Sequence, residues 1–338
     1  METEEVRRQL AELWGAAPRL GEVYVAHQER VVLATRDPNG TRVVVKADVD
    51  PGRLAREAAV LRLVREAAVL RLVREAAVLR LVREAAVLRV ARTAIEVPDV
   101  IEHRPGLLVM RFIDGEPLLS SSPSGWWTAV GAALRTLHDS AISGLAPFAG
   151  ATDWNRWFAT VPLEALRRHL PPPAIADTLR TVVEDAFGAA PPPPLHLLHG
   201  DASTIHWRLR PALDGRAATD GQGAVDGRPA MDVQSAVDGR GAVDGRGAVD
   251  GPVGAIDFGD AGLGDPLWDL VVLTHWDEAR LPAVLAGYRP DADTRERLTR
   301  LYHPYRVARH LLAVDWLCDH AYDPTPTLDE LTRLATHR

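Results

Sequence analysis

Four tandem copies of a nine-residue unit restrict what the first third of this chain can fold into. The unit REAAVLRLV occurs three times across residues 56–82 and returns as REAAVLRVA over residues 83–91. It contains strong helix formers and neither Gly nor Pro, so the segment is predicted to be helical. Nine residues make about 2.5 helical turns, so successive copies are rotated by about 180° and their apolar side chains surround the whole helix. One face cannot bury them all.

The length of this predicted helix sets a second restriction. An unbroken helix over residues 56–91 would be about 54 Å long, which exceeds the width of a small lobe. It must therefore project, break, or pair with another chain. Self-association through the repeat helix is one way to satisfy the exposed apolar side chains.

Segments on both sides of the repeat have the pattern of β-strands. Residues 21–46 contain GEVYVA, RVVLATR and TRVVVKA, with an Asp-Pro-Asn-Gly turn at residues 37–40. This alternation and turn chemistry predict an antiparallel sheet. The short apolar run GLLVMRFI at residues 106–113 predicts a further, inner strand.

The sequence pattern changes after Asp114-Gly115 from strand-like alternation to helical patterns and Pro-rich loops. We therefore predict an N-terminal lobe over residues 1–115 and a C-terminal lobe over residues 116–338. A low-complexity stretch at about residues 212–251 ends in a six-residue repeat, AVDGRG, and has few large apolar groups, so it is predicted to be a flexible loop. Its regular aspartates lack the dense ligand spacing of calcium loops.

Charge and hydrophobic patterning exclude several classes of partner. The net charge of -7 argues against a nucleic-acid partner, which requires a basic face. No uncharged apolar run approaches the roughly 20 residues that span a bilayer, so no membrane partner is expected. The N-terminus lacks the apolar region of a secretory signal, and we therefore expect a cytoplasmic protein.

Two aspartate motifs have the chemistry of phosphoryl transfer. His199-Gly200-Asp201 follows an apolar LHLL, and Asp257-Phe258-Gly259-Asp260 follows the repeat loop. Kinase chemistry needs one Asp to accept the hydroxyl proton and a second Asp to hold magnesium. Without the insert, the two segments are predicted to form a hairpin with both aspartates at one end and the insert at the distal turn.

The ordered set HGD, DFGD and GDPLWD (residues 264–269) resembles the motifs of the aminoglycoside phosphotransferase family. Residues 109–118 resemble its hinge and residues 134–138 a helix of its second lobe. This resemblance implies a two-lobed, protein-kinase-like α+β fold, with an N-terminal antiparallel sheet plus helix and a mainly helical C-terminal lobe. It also implies an ATP-dependent phosphotransferase that uses Mg²⁺ and acts on a small-molecule acceptor.

The resemblance assigns roles to particular residues. Asp201 is the expected catalytic base and Asp257 the expected metal ligand. Lys46, the only lysine in the chain, is expected to neutralise the α- and β-phosphates of ATP. The hinge segment runs from Met110 to Phe112, and its backbone is expected to contact the adenine base of ATP. GTP remains an alternative nucleotide.

The family also pairs this lysine with a helix glutamate, and the repeat offers Glu57, Glu66, Glu75 and Glu84. Glu57 is preferred because it is nearest to Lys46 in sequence. Glu84 is the alternative, since fewer residues separate it from the next strand.

One position departs from the family pattern. Five residues after Asp201, the usual metal-binding Asn is replaced by His206. Magnesium prefers oxygen donors, so imidazole is a poorer direct ligand. We retain His206 as a candidate metal residue, with packing beside Trp207 as the alternative role.

Family acceptors range from antibiotics to amino alcohols and sugars, and the sequence does not select among them. Acidic residues near the C-terminus are candidates to attract an aminated acceptor, and several tryptophans are candidates to stack on sugar rings. The acids are Asp315, Asp319 and Asp323, and the tryptophans are Trp126, Trp127, Trp154, Trp157 and Trp316.

A second class of function competes with the kinase interpretation. A catalytically weak, nucleotide-binding scaffold could use the repeat helix to bind a partner. His206 and the absence of a glycine-rich loop at residues 26–30 favour this alternative. Lys46, Asp201 and Asp257 favour catalysis.

Overall fold

The protein is described from a computed structural model. The described residues are 3–16, 18–27, 30–48, 84–88, 90–92, 94–104, 107–140, 142, 153–169, 173–188, 190–210 and 252–336. They form two compact units, one built from residues 1–123 and 205–259 and the other from residues 124–204 and 260–338.

An antiparallel five-stranded sheet forms the base of the first unit. Its spatial order is β1-β2-β3-β5-β4. The strands are β1 (Leu20–His27), β2 (Arg30–Arg36), β3 (Arg42–Asp48), β4 (Val100–Arg104) and β5 (Leu107–Arg111). The sheet expected from the alternating sequence pattern is therefore present.

Side chains of β3 alternate between the two faces of the sheet. Val43, Val45 and Ala47 point to one face, where they pack with Val6 and Leu10 of helix α1 (Thr3–Trp14). Because successive side chains of a strand point to opposite sides, Lys46 lies on the other face. Lys46 is nevertheless buried, so the protein must supply polar partners for its ammonium group there.

The last copy of the repeat contributes a helical segment to the same unit. Residues 84–88 and 90–91 are helical, and Ala85, Val87 and Leu88 are buried. The earlier copies, over residues 56–82, lie outside the described residues. Self-association through the repeat therefore stays a prediction.

The first unit also contains a short three-stranded sheet with the order β6-β8-β9. Its strands are β6 (Glu116–Pro117), β8 (Trp207–Leu209) and β9 (Val253–Ala255). The predicted division at residue 115 differs from the observed one, which falls after Pro123 and returns residues 205–259 to the first unit. The physical reason is strand pairing, because β8 pairs with β6, and β9 bridges Glu96.

The expected hairpin around the low-complexity insert is present as β8 and β9, which pair antiparallel through Trp207 and Ala255. At its far end the backbone N–H of Arg210 donates to the carbonyl of Pro252 at 3.3 Å. The chain thus enters and leaves residues 211–251, which lie outside the described residues, at one point. The preceding LHLL segment was expected in this hairpin, but it forms β7 (His196–Leu198) and pairs with β10 (Gly262–Gly264) instead.

Deletion of residues 215–250 is expected to leave nucleotide affinity unchanged. Because the ends of the insert already meet, a shorter connection should also raise the free energy of unfolding by up to about 2 kcal/mol through reduced loop-closure entropy. Thermal melting and calorimetric nucleotide titration of the deleted and full chains check this. A large drop in either quantity would mean that the insert packs on the protein.

The second unit is mainly helical. Its helices are α2 (Ser124–His138), α3 (Trp154–Phe158), α4 (Val161–Arg168), α5 (Pro173–Phe187), α6 (Leu267–Thr274), α7 (Leu281–Tyr288), α8 (Ala292–Asp319) and α9 (Thr325–Thr336). An aromatic cluster fills its core. In this cluster the ring of Phe158 lies 4.7–5.3 Å from the rings of Trp154, Phe187, Trp268 and Tyr305. Each helix in the described ranges is too short or too polar to traverse a lipid bilayer.

Candidate active site

Lys46 lies between two carboxylates of the first unit. Its Nζ is 2.6 Å from Glu84 Oε1 and 2.8 Å from Asp257 Oδ1. The side chain of Glu84 is fully buried, whereas that of Asp257 is 26% exposed. A buried ammonium requires such compensation, and the two contacts fix the direction in which Lys46 points.

The partner of Lys46 corrects the sequence-based preference for Glu57. The structure places Glu84, from the last repeat copy, against the ammonium group, and Glu57 lies outside the described residues. The attachment of the helix explains the choice. Only a short connection of residues 92–99 separates the last copy from β4, which holds that copy beside the sheet.

Asp257 stands at the end of β9 with an unusual backbone. Its φ of 64° lies in the left-handed region, which non-glycine residues adopt at a cost in energy, and such strain is often found at functional sites. Its Oδ2 is 3.5 Å from His206 Nε2. The structure therefore brings together Lys46, Glu84, Asp257 and His206 in one unit.

The turn that carries Asp201 is held by a buried carboxylate in the second unit. Asp269 accepts hydrogen bonds from the backbone N–H groups of His199 at 2.7 Å and Gly200 at 2.9 Å. Gly200 has a φ of 87°, and a side chain there would meet the Asp260 carbonyl oxygen at 2.1 Å. Asp269 therefore fixes the backbone of the turn that precedes Asp201.

A buried polar network supports that carboxylate. His138 Nε2 lies 3.0 Å from Asp269 Oδ2, and its Nδ1 lies 2.9 Å from the Tyr288 hydroxyl. Burial raises the pKa of Tyr288, so its hydroxyl stays protonated. The network keeps the Asp269 oxygens aimed at the turn.

Asp265 supports the start of α6. Its carboxylate accepts from the Leu267 N–H at 3.1 Å and from the Tyr305 hydroxyl at 2.9 Å, and it pairs with Arg297. Burial raises the pKa of Asp265, while the Arg297 guanidinium acts in the opposite direction. Asp265 thus provides an acceptor for the first backbone N–H group of α6.

Asp201 itself has a basic neighbour that the sequence analysis missed. Arg309 Nη2, from α8, donates to Asp201 Oδ1 at 3.2 Å. Both side chains are about one-quarter exposed. No local sequence signal marks Arg309, because its partner is 108 residues away in the chain.

The hinge residues occupy the end of β5. Met110 is buried and pairs with Val44 of β3. The N–H groups of Arg111 and Phe112 donate to the carbonyls of Asp99 at 2.8 Å and Arg42 at 3.3 Å. Both groups thus have partners within the sheet, and base recognition by the segment from Met110 to Phe112 stays a prediction.

The tryptophans suggested for acceptor binding differ in how exposed they are. Trp126, Trp127 and Trp154 are buried in the second unit. Trp316 is 47% exposed at the C-terminal end of α8. It is therefore the most exposed of these four tryptophans.

Comparison with known proteins identifies the family and the fold. The sequence model of the phosphotransferase enzyme family matches residues 30–250 and 243–302. No curated protein sequence gives a match.

Three solved structures illustrate the structural similarity. A choline/ethanolamine kinase family protein from Mesorhizobium loti is 20% identical with a TM-score of 0.58, and the alignment covers 99% of this chain and 94% of that one. An aminoglycoside 2'-phosphotransferase in its GDP complex is 13% identical with a TM-score of 0.62, and 99% of each chain is covered. A macrolide 2'-phosphotransferase from Brachybacterium faecium is 14% identical with a TM-score of 0.51, covering 99% and 98%.

These structures share the fold at low identity, and the family match spans most of the sequence. The predicted α+β, protein-kinase-like fold is confirmed, with the antiparallel sheet in the first unit and mainly helices in the second. The chain belongs to the phosphotransferase enzyme family and is a small-molecule kinase.

Proposed function

We propose that this kinase transfers the γ-phosphate of ATP to a hydroxyl group of a small molecule. The observation that carries the proposal is the position of Lys46, the only lysine of the chain, buried between Glu84 and Asp257. Kinases use this arrangement of a lysine, an orienting glutamate and a metal-binding aspartate to position phosphates. Lys46 would contact the α- and β-phosphates, and Glu84 would orient it.

Asp201 would serve as the base. It accepts the proton of the acceptor hydroxyl while the new oxygen–phosphorus bond forms and the bond between the γ-phosphorus and the β–γ bridging oxygen breaks, which releases ADP. The backbone bonds to Asp269 support this role because they fix the turn that precedes Asp201.

Magnesium would be held chiefly by Asp257. Within the described part of the chain, no group of three or more His, Cys, Asp or Glu side chains could hold a metal ion. This fits Mg²⁺, which in phosphoryl-transfer sites uses one or two carboxylates and completes its shell with phosphate oxygens and water. When bound, the ion would neutralise charge on the transferred phosphate.

The test is a screen of acceptors for ATP consumption above the no-acceptor rate, with GTP as the alternative donor. Relatives of similar structure contain ADP or GDP, which supports a purine nucleotide donor. Aminoglycosides, macrolides, amino alcohols and sugars form the panel. A product signal that disappears in Asp201→Asn supports the kinase.

His206 is the observation that favours the scaffold alternative. Its imidazole stands where the family has an oxygen donor, and its Nε2 is 3.5 Å from Asp257. A scaffold would bind nucleotide without accelerating phosphoryl transfer to any acceptor. The same screen separates the two functions, because the scaffold predicts binding without turnover.

Exchange of His206 for Asn is expected to strengthen the use of magnesium. An amide oxygen is a harder donor than imidazole nitrogen, so the KM for Mg²⁺ should fall by about threefold. His206→Ala, which offers neither donor, should raise that KM. Equal values for the two variants would show that residue 206 does not contact the metal.

A further inference from the structure

A positive charge from α8 lies beside Asp201 in the catalytic turn. Arg309 donates to Asp201 at 3.2 Å, and its guanidinium brings a positive charge to the carboxylate. The proposed base and Arg309 therefore have a combined charge close to zero. An isolated carboxylate would attract an ammonium group of an acceptor, whereas this pair does not.

Acidic groups farther along α8 and at the start of α9 also have partners. Asp315 accepts from Arg168 Nη1 at 2.9 Å and lies 3.0 Å from His169 Nε2. Asp323 accepts from the backbone N–H of Thr325 at 2.9 Å at the beginning of α9. Two of the three acids expected to attract an aminated acceptor are thus bonded to donors of the protein itself. The third, Asp319, is exposed one turn beyond Trp316.

One face of α8 leads away from Arg309. Trp316 is seven residues later, which places it within about 20° of the same face and about 10.5 Å along the helix axis. Leu312 and Ala313, at the intermediate i+3 and i+4 positions, are both partly exposed. This surface, the α8 face, has the Arg309 guanidinium at one end, paired with Asp201, and apolar side chains along its length.

A set of stacked rings ends the α8 face. The Trp316 ring stacks on His320 with centroids 4.4 Å apart and on Tyr322 with centroids 5.5 Å apart. Trp316 and Tyr322 are about half exposed. Flat aromatic surfaces of this kind bind other rings by stacking.

We propose that the acceptor lies along the α8 face and is a ring-bearing hydroxyl compound without an ammonium group beside its reactive hydroxyl. Arg309 is the residue that selects against amines, and Trp316 contacts the ring. This inference rests on the proposed kinase function, because it assigns the acceptor of the same site.

The test uses three sugars of matched shape: glucuronate, glucose and glucosamine. Each is titrated into the full chain with ADP and Mg²⁺ by calorimetry. Glucuronate and glucose are expected to bind about tenfold more tightly than glucosamine, the size of one charge interaction near a surface. Arg309→Gln removes the positive charge beside the Asp201 carboxylate, so it should shift the ranking toward glucosamine and away from glucuronate. Arg309→Lys should preserve the ranking because it keeps the charge.

Two further variants complete the design. Arg295→Gln changes an exposed arginine of α8 that lies about 21 Å along the helix from Arg309, and it should leave the ranking unchanged. Trp316→Ala should weaken the binding of all three sugars without altering their order. Thermal melting of each variant verifies folding.

Three results would overturn the inference: glucosamine binding as tightly as glucose, a ranking unaffected by Arg309→Gln, or no binding of any sugar at millimolar concentration. The kinase function is scored separately through ATP consumption. If the three sugars bind in the expected order but no acceptor of the panel raises ATP consumption, the binding site on the α8 face is supported and the kinase function is rejected. If ATP is consumed with a preference for amines, the kinase function is supported and the proposed acceptor class is rejected.

Discussion

Asp201→Asn is expected to lower kcat by about 10³-fold, the middle of the range for general-base catalysis, because an amide cannot accept the acceptor's proton. The replacement has almost the same shape and keeps an oxygen for Arg309, which lies 3.2 Å from the carboxylate in the wild type. Nucleotide affinity should therefore change little. Steady-state kinetics with the acceptor found in the screen, and calorimetric titration of ADP, measure the two quantities.

Asp185→Asn is the matched control, since Asp185 is an exposed residue of α5. Its kcat should equal that of the wild type. If Asp201→Asn retained activity within a few-fold, another group would have to be the base.

Glu84→Gln should produce the second large effect, on stability and on nucleotide use together. It removes the nearer of the two charges that compensate the buried Lys46. Loss of one member of a buried ion pair costs roughly 3 kcal/mol at the lower end of the known range, and Asp257 remains as partner. The kcat/KM for ATP is expected to fall about 10²-fold, because Lys46 loses its orientation. Chemical denaturation and steady-state kinetics check both.

The repeat supplies its own controls for this experiment. Glu57, Glu66 and Glu75 occupy the same place in identical or nearly identical local sequences. Replacement of each by Gln should change the free energy of unfolding by no more than about 0.5 kcal/mol, because Glu84 already compensates the charge of Lys46. A large effect at Glu57 with none at Glu84 would contradict the pairing in the structure.

The sequence predicted well what depends on local pattern. Alternation in residues 42–48 is sufficient to place Lys46 on the face opposite to Val45 and Ala47. The His-Gly-Asp and Asp-Phe-Gly motifs mark the two aspartate turns. The hairpin of β8 and β9 was also predictable, because apolar strand segments flank the insert on both sides. These features depend on neighbours in the chain.

Other features depend on contacts between distant segments. Identical repeat copies contain no local information about which glutamate reaches Lys46, and attachment of the last copy to β4 decides it. The pairing of β7 with β10 could not be predicted, because the local sequence does not show which of several short apolar strands becomes the partner of β7. Arg309 reaches Asp201 only because α8 passes the catalytic turn.

The location of Glu84 in the final repeat copy has a consequence for how this gene can vary. Tandem repeats gain and lose units when the DNA is copied, and each change here would add or remove nine residues upstream of Arg83. The number of residues between Glu84 and β4 does not depend on how many copies precede it. A longer or shorter array would therefore still place a glutamate beside Lys46. Repeat number can therefore drift between lineages while the ion pair at the phosphate-binding lysine is retained.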